Sequence, residues 1–171
     1  GKKFDCLERL AVVRNGLPTL KATLLVSLDE QAESRGLVSY EKCLQSGAST
    51  PLAPRRFKFD HPWYVLYSSG TTGVPKCIVH RTGGVLLQHL KEHQLHCDIK
   101  TDDRVMYFTT TGWMMWNWLV SVLASGATAV LYDGSPSFPT MNRLFDFVDQ
   151  EQLTLLGTSA KFIDSARKSE I

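Results

Sequence analysis

The run Tyr67-Ser68-Ser69-Gly70-Thr71-Thr72-Gly73-Val74-Pro75-Lys76 crowds hydroxyls, glycines and one lysine into a turn directly after the apolar residues 63–67. Glycines without a Cβ let backbone N–H groups approach an anion, Ser and Thr hydroxyls add neutral donors, and Lys76 supplies a point charge. These are the parts of a polyphosphate cradle. A Walker A loop needs a Gly before its lysine and a hydroxyl after it, whereas Pro75 and Cys77 stand there. Residues 63–67 read as a strand and Cys77-Ile78-Val79 as a second strand returning from the turn. The expected unit is strand-turn-strand, not the strand-turn-helix of Walker proteins.

Around this unit the apolar period switches repeatedly between two and about 3.6, which implies an α/β domain. Cys6, Leu7, Leu10 and Ala11 give one helix face that Pro18 stops, residues 22–26 read as a buried strand, and a short helix is expected near residues 40–44. Residues 45–54, rich in Ser, Gly, Ala, Thr and Pro, read as a surface connection. A helix is expected over residues 83–97 and strands over 104–108, 127–132 and 153–156, while Met141, Leu144, Phe145 and Val148 recur at helical spacing. There are no internal repeats.

The 171 residues have the size of one domain, and 43% hydrophobic with 21% charged residues is ordinary for a globular chain. A formal charge of +2 is too small to argue for nucleic acid or an anionic membrane, so neither is expected as a partner. The basic-aromatic run Arg55-Arg56-Phe57-Lys58-Phe59 therefore reads as a solvated loop. Cys6, Cys43, Cys77 and Cys97 form no C-x-x-C pair, which suggests neither a disulfide framework nor a cysteine zinc site and fits a reducing, cytosolic setting. Residues 105–132 carry no charge, yet Ser125-Gly126 splits them, and a helix of residues 113–125 would reach only ~20 Å against a ~30 Å hydrocarbon core. No membrane span is expected. The start at Gly1-Lys2-Lys3 reads as a fragment start without a signal peptide.

His89, His93 and His96 fall at i, i+4 and i+7 beside Cys97, but Leu86 and Leu90 share their face and no carboxylate motif completes a site. They read as packing, and no metal site is assigned. His80 reads as a structural histidine. On spacing alone, most of Trp113, Met114, Met115, Trp116 and Trp118 would be core, Trp116 above all.

The loop resembles the phosphate loop of the adenylate-forming acyl-CoA synthetase superfamily, Y-[ST]-S-G-[ST]-T-G-x-P-K-G, at every position except the last. His80, Gly112-Trp113 and Gly126-Ala127-Thr128 extend the resemblance along the chain to the acetyl- and acetoacetyl-CoA synthetase branch, and residues 112–118 are most similar to its acetoacetate-type members. The resemblance implies a partial N-terminal, AMP-binding domain over residues 1–171: a layered α/β sheet with flanking helices, without the mobile C-terminal domain. The implied activity is ATP-dependent activation of acetoacetate, or a similar short acid, as an acyl-adenylate that is passed to coenzyme A. ATP, Mg2+ and coenzyme A are the implied co-substrates and cofactor.

By the same resemblance Ser69, Gly70, Thr71, Thr72 and Gly73 contact the β and γ phosphates, and Lys76 is the catalytic group holding the pyrophosphate that leaves. Trp113 is implied as a wall of the acyl pocket, with Met114 and Met115 setting its shape. Acetate-specific relatives commonly carry a small hydroxyl residue where Met115 stands, and methionine suits a somewhat longer acyl group. Cys77 replaces the usual Gly after the lysine and reads as a small apolar filler, and Ser159-Ala160 stand where acetate relatives often have Pro-Thr. The downstream Tyr-Gly-x-Thr-Glu element, the ribose-binding aspartate and the C-terminal adenylation lysine have no counterpart here. A non-catalytic nucleotide-binding or scaffolding domain is accordingly the alternative reading.

Overall fold

In the computed structural model, residues 5–26, 36–47, 53–68 and 73–171 are described. They belong to two units, Gly1–Pro54 and Arg55–Ile171. In the first, Asp5 accepts the Leu7 N–H at 2.8 Å and opens α1 (Leu7–Asn15), and the Gly16 N–H closes it on Val12 and Val13 carbonyls. A two-residue strand β1 (Leu24–Leu25) pairs in parallel with β2 (Val38–Ser39). α2 (Tyr40–Ser46) follows at once, with the Ser39 hydroxyl accepting from the Lys42 N–H at its start. The strand expected over residues 22–26 is thus shorter and not buried: Leu24 is 53% exposed, because a single parallel partner leaves both faces of so small a ladder uncovered. In the expected connection over 45–54, residues 48–52 lie outside the described residues.

The second unit opens with the antiparallel hairpin β3 (Pro62–Ser68) and β4 (Lys76–Arg81), as the strand-turn-strand reading requires. α3 (Thr82–Lys91) ends in a π-helical turn, Glu92–His96. Then come β5 (Arg104–Tyr107), α4 (Met114–Val120) with a 3-10 turn at Ser121–Ser125, β6 (Thr128–Ala129), α5 (Arg143–Gln150), β7 (Leu155–Gly157) and α6 (Ala160–Lys168). The last three strands form a parallel sheet in the order β6-β5-β7, so the chain places β6 on one side of β5 and returns through α5 to lay β7 on the other. The carboxyl ends of β5 and β7 flank a topological switch point, where open α/β sheets leave a crevice for ligands.

Strand β5 feeds a core on each of its faces, since successive side chains point opposite ways. Val105 joins Ile99, Trp118, Leu119, Val122 and Ala127, and Met106 joins Val130 and Leu144. Helices therefore cover the sheet from both sides, the layered α/β arrangement expected. Arg104 anchors the amino end of β5 through Glu151, donating to its backbone carbonyl at 2.6 Å and its carboxylate at 2.9 Å. The strand expected over 127–132 pairs only at Thr128–Ala129, with the Val130 N–H still reaching the Val105 carbonyl at 2.8 Å. Helix α6 is absent from the expected elements, although Ser159 is a legible cap whose hydroxyl accepts from the Phe162 N–H at 3.2 Å.

Candidate functional site

The hairpin fixes where the phosphate-loop residues start and stop. Ser68 is paired with Lys76, Leu66 with Ile78 and Tyr64 with His80, so these six share one face. Tyr67, Cys77, Val65 and Val79 share the other. Lys76 is the first residue of β4, directly opposite the last residue of β3. It is exposed, and among the described residues its ammonium makes no ion pair or hydrogen bond. A Cβ built at Gly73 would meet nothing within 4 Å, so nothing else in the described chain requires glycine there and the space beside it is open. Ser69, Gly70, Thr71 and Thr72 lie outside the described residues.

His80 is half-buried, its ring 5.1 Å from that of Tyr64. Cys77, expected as a small apolar filler, is exposed, on the hairpin face opposite to that of Lys76.

The second group of site residues sits at the carboxyl end of β5. Trp113 is the extended residue before α4 and is 57% exposed, Met114 is 42% exposed, and Met115 is half-buried against the first core cluster. Trp118, not Trp116, is the buried tryptophan, at 7% exposure. Gly126 closes the 3-10 turn with φ +78°, a conformation that L side chains rarely adopt. Loop hairpin and α4 are carried by separate elements of one unit, and α3 packs against both β4 and the 3-10 turn that continues α4.

Between these elements lies a polar cluster that sequence spacing does not announce. The Trp118 Nε1–H donates to Glu92 Oε2 at 2.8 Å, and Gln88 Nε2 donates to Glu92 Oε1 at 2.6 Å. His89 Nδ1 lies 2.8 Å from the Ser121 hydroxyl, which donates its own proton to the Asn117 carbonyl at 2.7 Å. His93 is fully buried at 4.3 Å from the Trp118 ring, with neither ring nitrogen hydrogen-bonded. Burial pushes the His89 imidazole below its ordinary value, with nearby Glu92 opposing and His80 adding to the shift. Burial and then His89 push His93 down as well, while a backbone group of Trp118 pulls the other way without reaching hydrogen-bond geometry. Desolvation drives the Glu92 carboxyl up, but the bonds from Gln88 and Trp118, with His89 and Lys91 nearby, outweigh it and hold the group below the usual carboxylate range.

His89 and His93 are thus core side chains, whereas His96 beyond the π-helical turn is exposed. Among the described residues, no group of three or more His, Cys, Asp or Glu side chains is arranged to hold a metal. Nor is any helix among them long and apolar enough to cross a membrane.

A parallel sheet with a switch point, preceded by a strand-turn-strand hairpin whose loop sequence resembles a phosphate loop, is the arrangement expected of an AMP-binding enzyme domain. Residues 2–170 match the AMP-binding enzyme family, and the chain belongs to it. Over 171 residues it is 62% identical to the acetoacetyl-coenzyme A synthetase of Rhizobium meliloti (strain 1021), covering 98% of this chain and 26% of that protein. It is 46% identical over 172 residues to the acetoacetyl-CoA synthetase of Gallus gallus, covering 95% and 26%. The solved acetoacetyl-CoA synthetase from Streptomyces lividans superposes with a TM-score of 0.91 at 43% identity, over 100% of this chain and 26% of that one. The chain spans about a quarter of the length of these relatives.

Proposed function

We propose that the polypeptide to which this chain belongs is an ATP-dependent acid–CoA ligase acting on acetoacetate. The acid's carboxylate attacks the α-phosphorus of ATP, the bond from that phosphorus to the bridging β-phosphate oxygen breaks, and pyrophosphate leaves an acyl-adenylate. The thiol of coenzyme A, losing its proton, then displaces AMP from the acyl carbon. No strong base is needed in the first half, because the carboxyl group is ionised at neutral pH.

The observation that carries this reading is the position of Lys76: an exposed ammonium without a partner among the described residues, on the first residue of β4, at the exit of a loop matching the superfamily pattern. Negative charge grows on the departing pyrophosphate, and a fixed cation beside it stabilises the transition state more than the ground state. Gly73, with open space where a side chain would stand, fits a backbone that must approach phosphate; Ser69, Gly70, Thr71 and Thr72 are assigned to the same oxygens by the pattern. Trp113, Met114 and Met115, at the carboxyl end of the central strand, are assigned to the acyl pocket. Acetoacetate as the acid is supported by Met115 and by the names of the relatives above. Magnesium would accompany the nucleotide, but the described residues supply no ligand set and no step is routed through it. Four cysteines, none in a disulfide, suit a cytosolic protein.

The test is pyrophosphate–ATP exchange by the full-length polypeptide. Exchange should depend on added acid and be fastest with acetoacetate among acetate, propionate, butyrate and acetoacetate. ATP binding without exchange, whatever the acid, would instead establish a nucleotide-binding module.

A further inference from the structure

We propose that the Glu92–Trp118 and His89–Ser121 contacts form a clamp by which α3 positions the acyl-pocket end of α4, making these four residues positioning residues for acid selectivity. The inference rests on reading Trp113, Met114 and Met115 as the acyl-pocket segment.

The geometry of α4 leaves a place for a hold of this kind. The helix is seven residues long, and no side-chain hydrogen bond caps its amino end, where Trp113 and Met114 stand exposed. On its own side the end that carries the candidate pocket is held by the Trp113 N–H donating to the Thr110 carbonyl at 3.1 Å and by Met115 against the first core cluster, without a directional side-chain bond among the described residues. Met114 and Met115 precede Trp118 by four and three residues, one helical turn away on the same face. Whatever fixes Trp118 also fixes them. Its indole is gripped by His93 at 4.3 Å and Tyr107 at 6.0 Å, and its only polar atom is bound to Glu92 Oε2. The second grip falls three residues further on, at Ser121.

The polar bonds are mutually consistent. The one proton of Ser121 goes to the Asn117 carbonyl, so toward His89 this hydroxyl accepts, and the imidazole carries its proton on Nδ1. Gln88 occupies the other oxygen of Glu92 and itself receives Lys91 Nζ at 3.2 Å. His80 of β4 and His93 flank His89, while Lys91 stands beside Glu92. Apolar packing would hold two helices together as firmly, but directional bonds between partners 26 and 32 residues apart select one relative placement. Placement is what a pocket wall needs, since a shift of about 1 Å at a reacting group can lower a rate by roughly a hundredfold.

The experiment uses the full-length polypeptide with Trp118→Phe, Ser121→Ala, Glu92→Ala and Glu92→Gln, measuring KM for acetoacetate, butyrate and ATP by pyrophosphate exchange. Trp118→Phe keeps the ring and loses only the donor, while Glu92→Gln keeps an acceptor for it. Trp118→Phe, Ser121→Ala and Glu92→Ala should change the acetoacetate-to-butyrate preference by about 10-fold, within the range for a reshaped apolar pocket, and leave KM for ATP within about 2-fold. Glu92→Gln should restore nearly wild-type selectivity. Equal shifts in the constants for acid and ATP, a lowered melting temperature with unchanged preference, or Glu92→Gln behaving as Glu92→Ala would each overturn the clamp while leaving the ligase reading intact. Should Trp118→Phe not fold, the two Glu92 variants decide. A wild-type polypeptide that exchanges pyrophosphate with no acid overturns the ligase reading, and the clamp's role falls with it.

Discussion

Ser68 and Lys76 face each other across the mouth of the β3–β4 hairpin, and the loop between them spans only seven residues. The pairing means that Lys76 is held by a strand ladder and not by the loop it terminates. Its backbone can therefore stay in place whether or not nucleotide is bound, so that the ammonium is always within a side chain's reach of the loop. A cation whose backbone anchor is already set needs less reorganisation as charge develops, which is where electrostatic catalysis gains most.

Lys76→Ala in the full-length polypeptide should accordingly slow adenylate formation by roughly ten- to a thousandfold, the range for removing one such group, with KM for the acid little changed. Single-turnover formation of acyl-adenylate measures it. An unchanged rate would make Lys76 an ordinary surface lysine.

Gly73 and Gly157 should respond differently to the same substitution. Gly157 pairs with Tyr107 across β7 and β5, and a Cβ there would run into the Tyr107 ring, which also packs on the first core cluster. Gly157→Ala should cost ~1–3 kcal/mol through overpacking. Gly73→Ala meets nothing in the described chain. If the proposed nucleotide takes up that space, the substitution should leave the melting temperature unchanged yet raise KM for ATP. Thermal melts and ATP titrations of the two variants make the comparison.

Acid should loosen α3 and α4 before it unfolds the rest of the unit. Burial holds the His89 and His93 imidazoles below their ordinary value of about 6.5, so the unfolded chain binds more protons near that pH. Their contribution is complete above about pH 6.5 and is lost as the pH falls below it, with a limiting slope of ~1.4 kcal/mol per pH unit for each imidazole. Glu92, held below the usual carboxylate range, adds a second loss as the pH drops through that range. Amide exchange of residues 82–125 between pH 5 and 8, corrected for intrinsic rates, should show opening that His89→Gln combined with His93→Phe suppresses. A pH-independent opening free energy would mean that the imidazoles are not the buried neutral groups described.

How much of this was legible in the sequence follows from the range of the interactions. The β3–β4 unit could be read directly, because the continuous apolar run over residues 63–67 and the Gly-rich turn are local signals. The parallel sheet was legible in its elements but not in its order: nothing near residues 127–132 indicates that only Thr128 and Ala129 pair with β5. Trp118 and Trp116 could not be told apart, since burial depends on Ile99 and Val105, which are distant in sequence. The Glu92–Trp118 and His89–Ser121 bonds left no trace in spacing for the same reason. Helix α6 had a readable cap in Ser159 and an apolar pair one turn apart in Phe162 and Ala166, so its signal was present without a long-range partner.

Trp113 and Met115 offer the sharpest separation between pocket and core. Trp113 is mostly exposed in this chain, so removing its ring disturbs little internal packing, whereas Met115 leans on the cluster around Trp118 and Leu119. If both line the acyl pocket, Trp113→Ala should depress use of every acid, because it removes a wall near the common carboxylate, while the melting temperature stays nearly constant. Met115→Thr should shift preference from acetoacetate toward shorter acids by ~1–3 kcal/mol, or roughly 10- to 200-fold in relative kcat/KM, with ATP affinity nearly unaltered. Some loss of stability accompanies it, since a hydroxyl replaces a half-buried thioether. The decisive quantity is therefore the ratio of kcat/KM values among acetate, propionate, butyrate and acetoacetate, which a general loss of folded enzyme leaves unchanged. Ratios identical to wild type in Met115→Thr, alongside a lower melting temperature, would place Met115 in the core and remove the physical support for acetoacetate as the acid.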